Sequence, residues 1–137
     1  MPEALVLDTH IALDLLVFMD SRCEPLRHAL HEERVHWLAT DPMRDELARV
    51  LAYPAIAPRL RQGAQAVLHA FDRQVRRVEP GAAAPVRCRD PDDQMFIDLA
   101  FARRAALVSR DRAVLALRKR LAAWSIPVHP NWPPSRP

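Results

Sequence analysis

The chain has 137 residues, of which 50% are hydrophobic and 27% charged, a composition that suits one globular domain with a single core. Basic residues outnumber acidic ones by 20 to 17, which gives a net charge of +3, and every base except Lys119 is an arginine. The only two glycines, Gly63 and Gly81, stand far apart. A glycine-rich phosphate-binding loop is therefore excluded, because such loops need several residues without a Cβ.

The sequence predicts a cytoplasmic protein. It has no run of about 18 apolar residues that could cross a membrane, and its first residues lack the basic lead and long apolar stretch of a secretory signal. Two cysteines, Cys23 and Cys88, are too few for a disulfide framework or a zinc site. We expect both to be reduced and no membrane to be involved.

The first half of the chain alternates short apolar segments with segments of helical periodicity. The helix after the second apolar segment begins at Asp41-Pro42, since proline is tolerated in the first turn, and ends before Tyr53-Pro54. The predicted elements are a strand over 5–7, a helix over 9–19, a helix ending at 33, a strand over 35–39 and a helix over 41–53.

The second half continues the alternation. The predicted elements are a helix over 62–77, a loop over 78–89 with room for a short strand, a helix over 90–102, a strand over 105–108, a helix over 112–120 and a strand over 125–128. The predicted strands are apolar throughout and do not alternate apolar with polar residues. This pattern indicates a mainly parallel sheet covered on both faces, and so an α/β fold. We expect a single domain over 1–129 and a loose, proline-rich tail over 130–137.

Four carboxylates fall at predicted strand ends or helix starts. Asp8 follows the first strand, Asp111 lies three residues after Val108, and Asp93 and Glu46 lie early in their helices. In an open parallel sheet, sites form beyond the carboxyl ends of the strands, where the strand order reverses. Clustered carboxylates repel one another unless a cation joins them, and oxygen ligands suit Mg²⁺ or Mn²⁺.

Each carboxylate also has a purely structural interpretation. Aspartate is a favoured helix cap, a role open to Asp8 and Asp111, while Asp93 would favour the helix dipole behind a cap at Asp90. Glu46 could pair with the arginine three residues later on a solvated helix face. Position alone leaves a metal site and structural roles about equally supported.

Five segments resemble, in the right order, the motifs of PIN-domain nucleases. Residues 5–9 look like the opening strand and Asp-Thr pair, and 45–54 are similar to the E-L-x-x-V-L-x-x-P helix. Residues 89–96 resemble the D-P-D-D-N-K-F segment of the toxin–antitoxin branch, and 105–117 look like A-x-x-L-V-T-G-D-x-D-L-L. Residues 126–130 match the closing I-P-I-x-x-P. Each motif is short, but together they span nearly the whole chain.

The resemblance implies a PIN-like three-layer α/β/α sandwich with four or five strands, and a metal-dependent endoribonuclease of the VapC-like toxin type. It implies Mg²⁺ or Mn²⁺ as cofactor, an RNA substrate, a cognate antitoxin and a homodimer. Carried over position by position, the metal-binding and catalytic set would be Asp8, Glu46, Asp93 and Asp111. Asp8 and Asp93 would hold the metal, which would activate water at a phosphodiester, while Thr9 and Ser109 would be small polar supports.

Three positions depart from the family pattern. His10 stands where asparagine is usual, Gln94 replaces the asparagine after D-P-D-D, and Arg110 replaces the glycine before the last aspartate. His10 could hydrogen-bond a phosphate, support Asp8, or pair with Asp14 on the helix face. The carboxylates are retained, so these departures alter the rim of the cleft and leave the level of activity open.

Arginines that flank the predicted cleft are candidate substrate contacts, since guanidinium groups bind phosphate oxygens in a bidentate manner. These are Arg22, Arg44, Arg110 and Arg112. For each of them, an ordinary solvated surface position is the simpler interpretation.

Two other functions are open. Asp8 could be a phosphoaspartate nucleophile, but such sites use a nearby lysine, and Lys119 lies late in a helix that points away from the strand ends. A catalytically degenerate PIN-like domain that binds RNA or protein without cutting is the stronger alternative, motivated by the altered rim.

Overall fold

Five short strands form one sheet in the computed structural model, which describes residues 2–134. The strands are β1 (Glu3–Leu7), β2 (Val35–Ala39), β3 (Val75–Arg77), β4 (Ala106–Val108) and β5 (Val128–His129). Their order in the sheet is β3-β2-β1-β4-β5, and every pairing is parallel. The predicted α/β fold with a parallel sheet of up to five strands is confirmed.

Helices cover both faces of this sheet, which confirms the three-layer arrangement. They are α1 (Thr9–Leu16), α2 (Glu24–His31), α3 (Asp41–Leu51), α4 (Gly63–Gln74), α5 (Gln94–Arg103), α6 (Arg112–Leu115) and α7 (Arg118–Ala122). Helices α1, α3 and α4 contact one another, whereas α5 packs against β1 and β4. No helix in the described range is long and apolar enough to span a membrane.

The order of the strands reverses at β1. The chain runs from β1 outward to β2 and β3, then returns to place β4 on the other side of β1. The backbone N–H of Asp8 donates to the carbonyl of Val108 at 3.2 Å, so the ends of β1 and β4 stay paired beyond the strands themselves. This carboxyl edge is where an open parallel sheet forms its sites.

The centre of the core explains why the strand sequences do not alternate. Leu5 and Val6 are successive residues of β1 and point to opposite faces, yet both are fully buried, as is Leu107 of β4. Each face of the sheet is covered by helices, so apolar side chains are stabilising in both directions.

Several element boundaries differ from the sequence-based expectations. The helix predicted over 9–19 ends at Leu16, and the helix predicted over 90–102 begins at Gln94, after a separate 3₁₀ turn over Pro91–Asp93. The predicted helix over 62–77 ends at Gln74, because its last three residues pair with Trp37–Ala39 of β2 and form the edge strand β3. The predicted helix over 112–120 is two short helices, α6 and α7. The last strand begins at Val128 and not at residue 125, since Ser125 has a left-handed φ of 64° that ends the preceding turn.

The prediction of a loose tail over 130–137 is partly wrong. Trp132 packs against the core and its indole N–H donates to Glu3 at 3.1 Å, while Asn131 accepts from Arg110 at 3.3 Å. The remainder of the predicted tail, residues 135–137, lies outside the described residues. The division of the chain at residue 129 stays a prediction.

Candidate functional site

The carboxyl edge of the sheet carries a cluster of acidic and hydroxyl side chains. Asp8 immediately follows β1, and Ser109 immediately follows the neighbouring strand β4. Both are almost completely buried, at 3% and 0% exposure. Because the two strands are adjacent and parallel, their first residues beyond the sheet meet at the point where the strand order reverses.

Asp8 is held in place through both of its carboxylate oxygens. Oδ1 accepts the backbone N–H of Ile11 at 2.9 Å, which makes Asp8 the N-cap of α1, and Oδ2 accepts the hydroxyl of Ser109. Burial raises the pKa of Asp8 above its usual value, although these two hydrogen bonds act in the opposite direction. The negative charge of Asp111 raises it further.

Ser109 also connects Asp8 to Asp111. Its Oγ accepts the backbone N–H of Asp111 at 3.1 Å while donating to Asp8. The Asp111 carboxylate caps α6 by accepting the N–H of Ala113 at 2.8 Å. One buried hydroxyl therefore fixes two acidic residues that are 103 positions apart in the sequence.

Asp93 is the member of the cluster that no capping role explains. It ends the 3₁₀ turn Pro91–Asp93, and its side chain makes no capping hydrogen bond to α5, whereas Asp90 caps that turn by accepting the N–H of Asp92 at 3.0 Å. The Oδ2 atom of Asp93 is buried and has no hydrogen-bond partner among the described residues. Such a lone acceptor is rare in folded proteins and calls for an explanation.

The electrostatics of Asp93 show how closely the acids approach. Burial raises the pKa of Asp93 to about 7, and the negative charges of Asp111, Asp90 and Asp8 act in the same direction. Asp8, Asp93 and Asp111 thus form one interacting group at the carboxyl edge.

Glu46, on α3, is linked to the residue beside Asp8. Its Oε2 accepts the hydroxyl of Thr9, the residue that follows Asp8. Glu46 also lines an open cleft of about 290 Å³ with Pro91 and Asp92 from the turn that carries Asp93. The alternative pairing of Glu46 with Arg49 is not seen among the described residues.

A divalent cation fits the chemistry of this group, although the side chains are not preset for it. Among residues 2–134, no three Asp, Glu, His or Cys side chains are already arranged as a metal-binding group. Asp8, Asp111 and Glu46 are each held by their own hydrogen-bond partners, and carboxylates repel one another when no cation joins them. A cation at the unpaired Oδ2 of Asp93 would satisfy that acceptor and would also relieve the repulsion from the negative charges that raise the pKa of Asp93.

A family model described as PIN domain matches residues 4–113. The chain belongs to the PIN-domain family. A match of this length includes β1 to β4 and all four candidate acids, which confirms the family expected from the five sequence motifs. A comparison with curated proteins finds no match.

The fold of this PIN domain is also found in a solved structure. A chain of the structure described as VapBC2 from Rickettsia felis bound to a DNA fragment from their promoter aligns with a TM-score of 0.63 and 14% identity. The alignment covers 92% of the present chain and 97% of that chain. At this identity the likeness concerns the fold.

Of the three departures from the PIN pattern, His10 stays at the surface near the cluster. It is exposed, and its charge lowers the pKa of Asp8. The pairing of His10 with Asp14 that the helical spacing allowed is not formed, because Asp14 binds Arg110 at 2.6 Å instead.

Gln94 lies inside the protein and not on the rim that we expected it to alter. Its amide nitrogen donates to the carbonyl of Val86 at 3.0 Å and to Asp98 at 2.8 Å, and its carbonyl accepts the N–H of Cys88 at 2.5 Å. Asp98 in turn accepts the N–H of Ala84 at 2.9 Å. The side chains of Gln94 and Asp98 therefore fasten the loop that leads into the turn of Asp93. In the sequence, an amide residue beside an acidic motif is the signal that could have suggested this role.

Three of the four candidate substrate arginines are engaged within the protein. Arg22 pairs with Asp20 at 2.7 Å, Arg44 with Asp72 at 2.8 Å, and Arg110 with Asp14. The side chain of Arg112 is exposed, with no ion pair or hydrogen bond to any described residue. Substrate contact by the four arginines stays a prediction, and Arg112 is the one that could make it without breaking an existing pair.

Proposed function

We propose that this PIN domain is a Mg²⁺- or Mn²⁺-dependent endoribonuclease that hydrolyses RNA phosphodiester bonds at the carboxyl edge of its sheet. The observation that carries the proposal is the buried, partnerless Oδ2 of Asp93 among three other acids. Membership of the PIN family supports a nuclease activity. Without a cation, this arrangement opposes folding, since the charges repel and an acceptor is left unpaired.

The residues that would hold the cation are Asp8 and Asp93, with Glu46 and Asp111 completing the set directly or through water. When bound, a divalent cation supplies Lewis-acid polarisation of the phosphodiester and activation of water. Oxygen donors alone suit Mg²⁺ and Mn²⁺ better than softer metals. No nucleophilic side chain is required.

The surrounding residues fix the acids before substrate arrives. The N–H of Ile11 and the hydroxyl of Ser109 orient Asp8, and Ser109 also holds the backbone of Asp111. Thr9 orients Glu46 in the same way. These anchors lie at strand ends and helix starts and fix Asp8, Glu46 and Asp111, whereas Asp93 would take up its position when the cation binds. His10 and Arg112, both exposed beside the cluster, are the side chains free to meet the phosphate backbone.

The test is cleavage of RNA with and without Mg²⁺ by the wild type and by the Asp8→Ala and Asp93→Ala variants. Activity should require the metal and fall by about a thousandfold in each variant, since loss of several kcal/mol of charge stabilisation has that effect on a rate. Asp92→Asn is the matched control, because Asp92 is an exposed acid in the same turn. Cleavage that survives chelator or both alanine substitutions would refute the proposal.

We further propose that the nuclease is the toxin of a type II toxin–antitoxin pair, acting in the cytoplasm as a homodimer. The structural likeness to a chain of a VapBC complex supports a protein partner. Overexpression in a bacterial host should arrest growth, and Asp93→Ala should remove that toxicity. Purification from native cells should recover a second small protein, and recovery of the single chain alone would contradict the partner.

A degenerate domain that binds RNA without cutting it is the second candidate. It is favoured by the occupied oxygens of Asp8 and by the absence of a preset three-ligand group within residues 2–134. Under this alternative, RNA binds with equal affinity in the presence and absence of divalent ions, and no condition yields product. Metal-dependent product formation would exclude it.

A further inference from the structure

A cavity of about 480 Å³ lies at the opposite edge of the sheet from the acids. Its walls include Val35 and Val75, the first residues of β2 and β3, so it opens at the amino ends of these parallel strands. The acids follow the carboxyl ends. A five-residue strand separates the two edges by roughly 13–16 Å.

Positive charge converges on this cavity from two helices and one strand. Arg27 comes from α2, and Arg73 and Arg76 come from the end of α4 and from β3. Two imidazoles, of His31 and His36, also line it, and Glu33 is the single acid in its lining. We refer to this feature as the basic cavity.

The cationic groups differ in how far they are already used. Arg27 is held by Glu24 and by the carbonyl of Leu15, the latter at 2.9 Å. Arg73 and Arg76 are exposed, and neither has an ion pair or a side-chain hydrogen bond to any residue within 2–134. Two free guanidinium groups thus stand beside an anchored one in the same concave surface.

Local structural roles explain these residues one at a time but not their convergence. Arg73 and His31 lie in the last turns of α4 and α2, where bases suit the helix dipole. Arg76 lies on an edge strand, where a charge discourages pairing with another chain. Neither role requires that bases of separate elements face one cavity with a single acid among them.

We propose that the basic cavity binds the phosphate backbone of the RNA substrate, at a second contact point away from the acidic cluster. Guanidinium groups match phosphate oxygens in a bidentate geometry, and imidazoles add further donors. Seven of the ten lining residues are charged or polar. An acidic protein segment would need more apolar surface to bury, so the lining favours nucleic acid. RNA as the ligand rests on the proposed function, whereas binding at the basic cavity requires no cleavage.

The experiment measures the affinity of a long fluorescent oligoribonucleotide by anisotropy, in chelator and in the Asp93→Asn background, so that no cutting occurs. Adding Arg73→Ala and Arg76→Ala should weaken binding about tenfold and reduce the slope of log K against log salt by about 1.4, since each single-strand phosphate contact contributes about 0.7. The matched control is Arg103→Ala with Arg120→Ala, which removes two exposed arginines outside the basic cavity.

Three outcomes would overturn the basic cavity as an RNA site. These are no loss of affinity, an equal loss in the control pair, or displacement of the RNA by poly-glutamate at the same charge concentration. Thermal melts of each variant establish that it is folded. Cleavage of a dinucleotide, too short to reach both edges, separates the two proposals. If dinucleotide cleavage persists while the arginine pair has no effect on binding, the basic cavity fails alone; if binding depends on the pair but cleavage is absent, the nuclease fails alone.

Discussion

The two edges of the sheet hold opposite charges in different ways. At the carboxyl edge, Asp8 is buried, Asp93 and Asp111 are half-buried, and burial together with the neighbouring negative charges raises the pKa of Asp93 to about 7. At the amino edge, Arg73 and Arg76 are solvated and crowd no buried group. Solvated bases need no partner for the protein to fold, whereas buried acids with an unpaired oxygen do.

The carboxyl edge is therefore a site that requires a bound cation, whereas the amino edge is a surface that attracts anions. Capping accounts for Asp8 and Asp111, as it does for many aspartates in α/β proteins. It does not account for Asp93 Oδ2, and that atom makes the acidic cluster the stronger functional assignment. The basic cavity is expected to tune affinity, and the acids to decide whether chemistry occurs.

Neutralising neighbouring acids on α3 is the most stringent test of the difference between the two edges of the sheet. Glu46→Gln should lower metal-dependent cleavage by about 10–100-fold, as expected for a residue that supports or completes a metal site. Asp45→Asn removes an equal charge from the adjacent residue, which is exposed and lines the same cleft but makes no hydrogen bond with Thr9, and should change the rate less than twofold. Equal effects of the two variants would mean that general charge, and not the position of Glu46, matters.

The hydrogen bonds of Gln94 to the loop that precedes Asp93 should contribute most to stability near the site. Gln94→Met keeps the length of the side chain but removes hydrogen bonds to Val86, Cys88 and Asp98, and should lower the free energy of unfolding by about 3 kcal/mol. Urea unfolding measures this loss. Hydrogen exchange of the Cys88 amide should become faster, and unchanged exchange there would show that Gln94 does not hold this loop.

Removing the bridging hydroxyl should have a smaller effect. Ser109→Ala leaves Asp8 Oδ2 and the N–H of Asp111 without their partner, which we expect to lower stability by about 2 kcal/mol. Ser21→Ala, at an exposed position, serves as the control and should be neutral. A neutral Ser109→Ala, checked by the same unfolding experiment, would show that water replaces the hydroxyl without loss.

The smallest effect is a gain in stability. Because the folded-state pKa of Asp93 is raised above the unfolded value of 3.8, the folded protein binds more protons between pH 4 and 7, and stability falls as the pH rises through that window. Asp93→Asn should therefore raise Tm in chelator at pH 8, by roughly 4 °C for about 1 kcal/mol in a domain of this size. The gain should vanish below pH 4, and its persistence there would assign it to another cause.

The sequence was informative where local signals agree with the fold. Asp8 directly follows an apolar strand and Asp111 lies three residues after another, and each begins a helix, so local signals were enough to place both. The local pattern predicts a helix at the edge strand β3, because the residues of β2 with which it pairs lie far away in the sequence. The same holds for the acids that pair with Arg44 and Arg110 and for the unpaired oxygen of Asp93. Each depends on residues that are distant in the sequence.

Calorimetric titration of Mn²⁺ into the folded protein at pH 8 tests the central claim most directly, with Asp93→Asn and Asp92→Asn titrated alongside. We predict saturable binding to the wild type and to Asp92→Asn, and none to Asp93→Asn. Binding that is equal in all three proteins, or absent from all three, would contradict a cation site at the acids of the carboxyl edge.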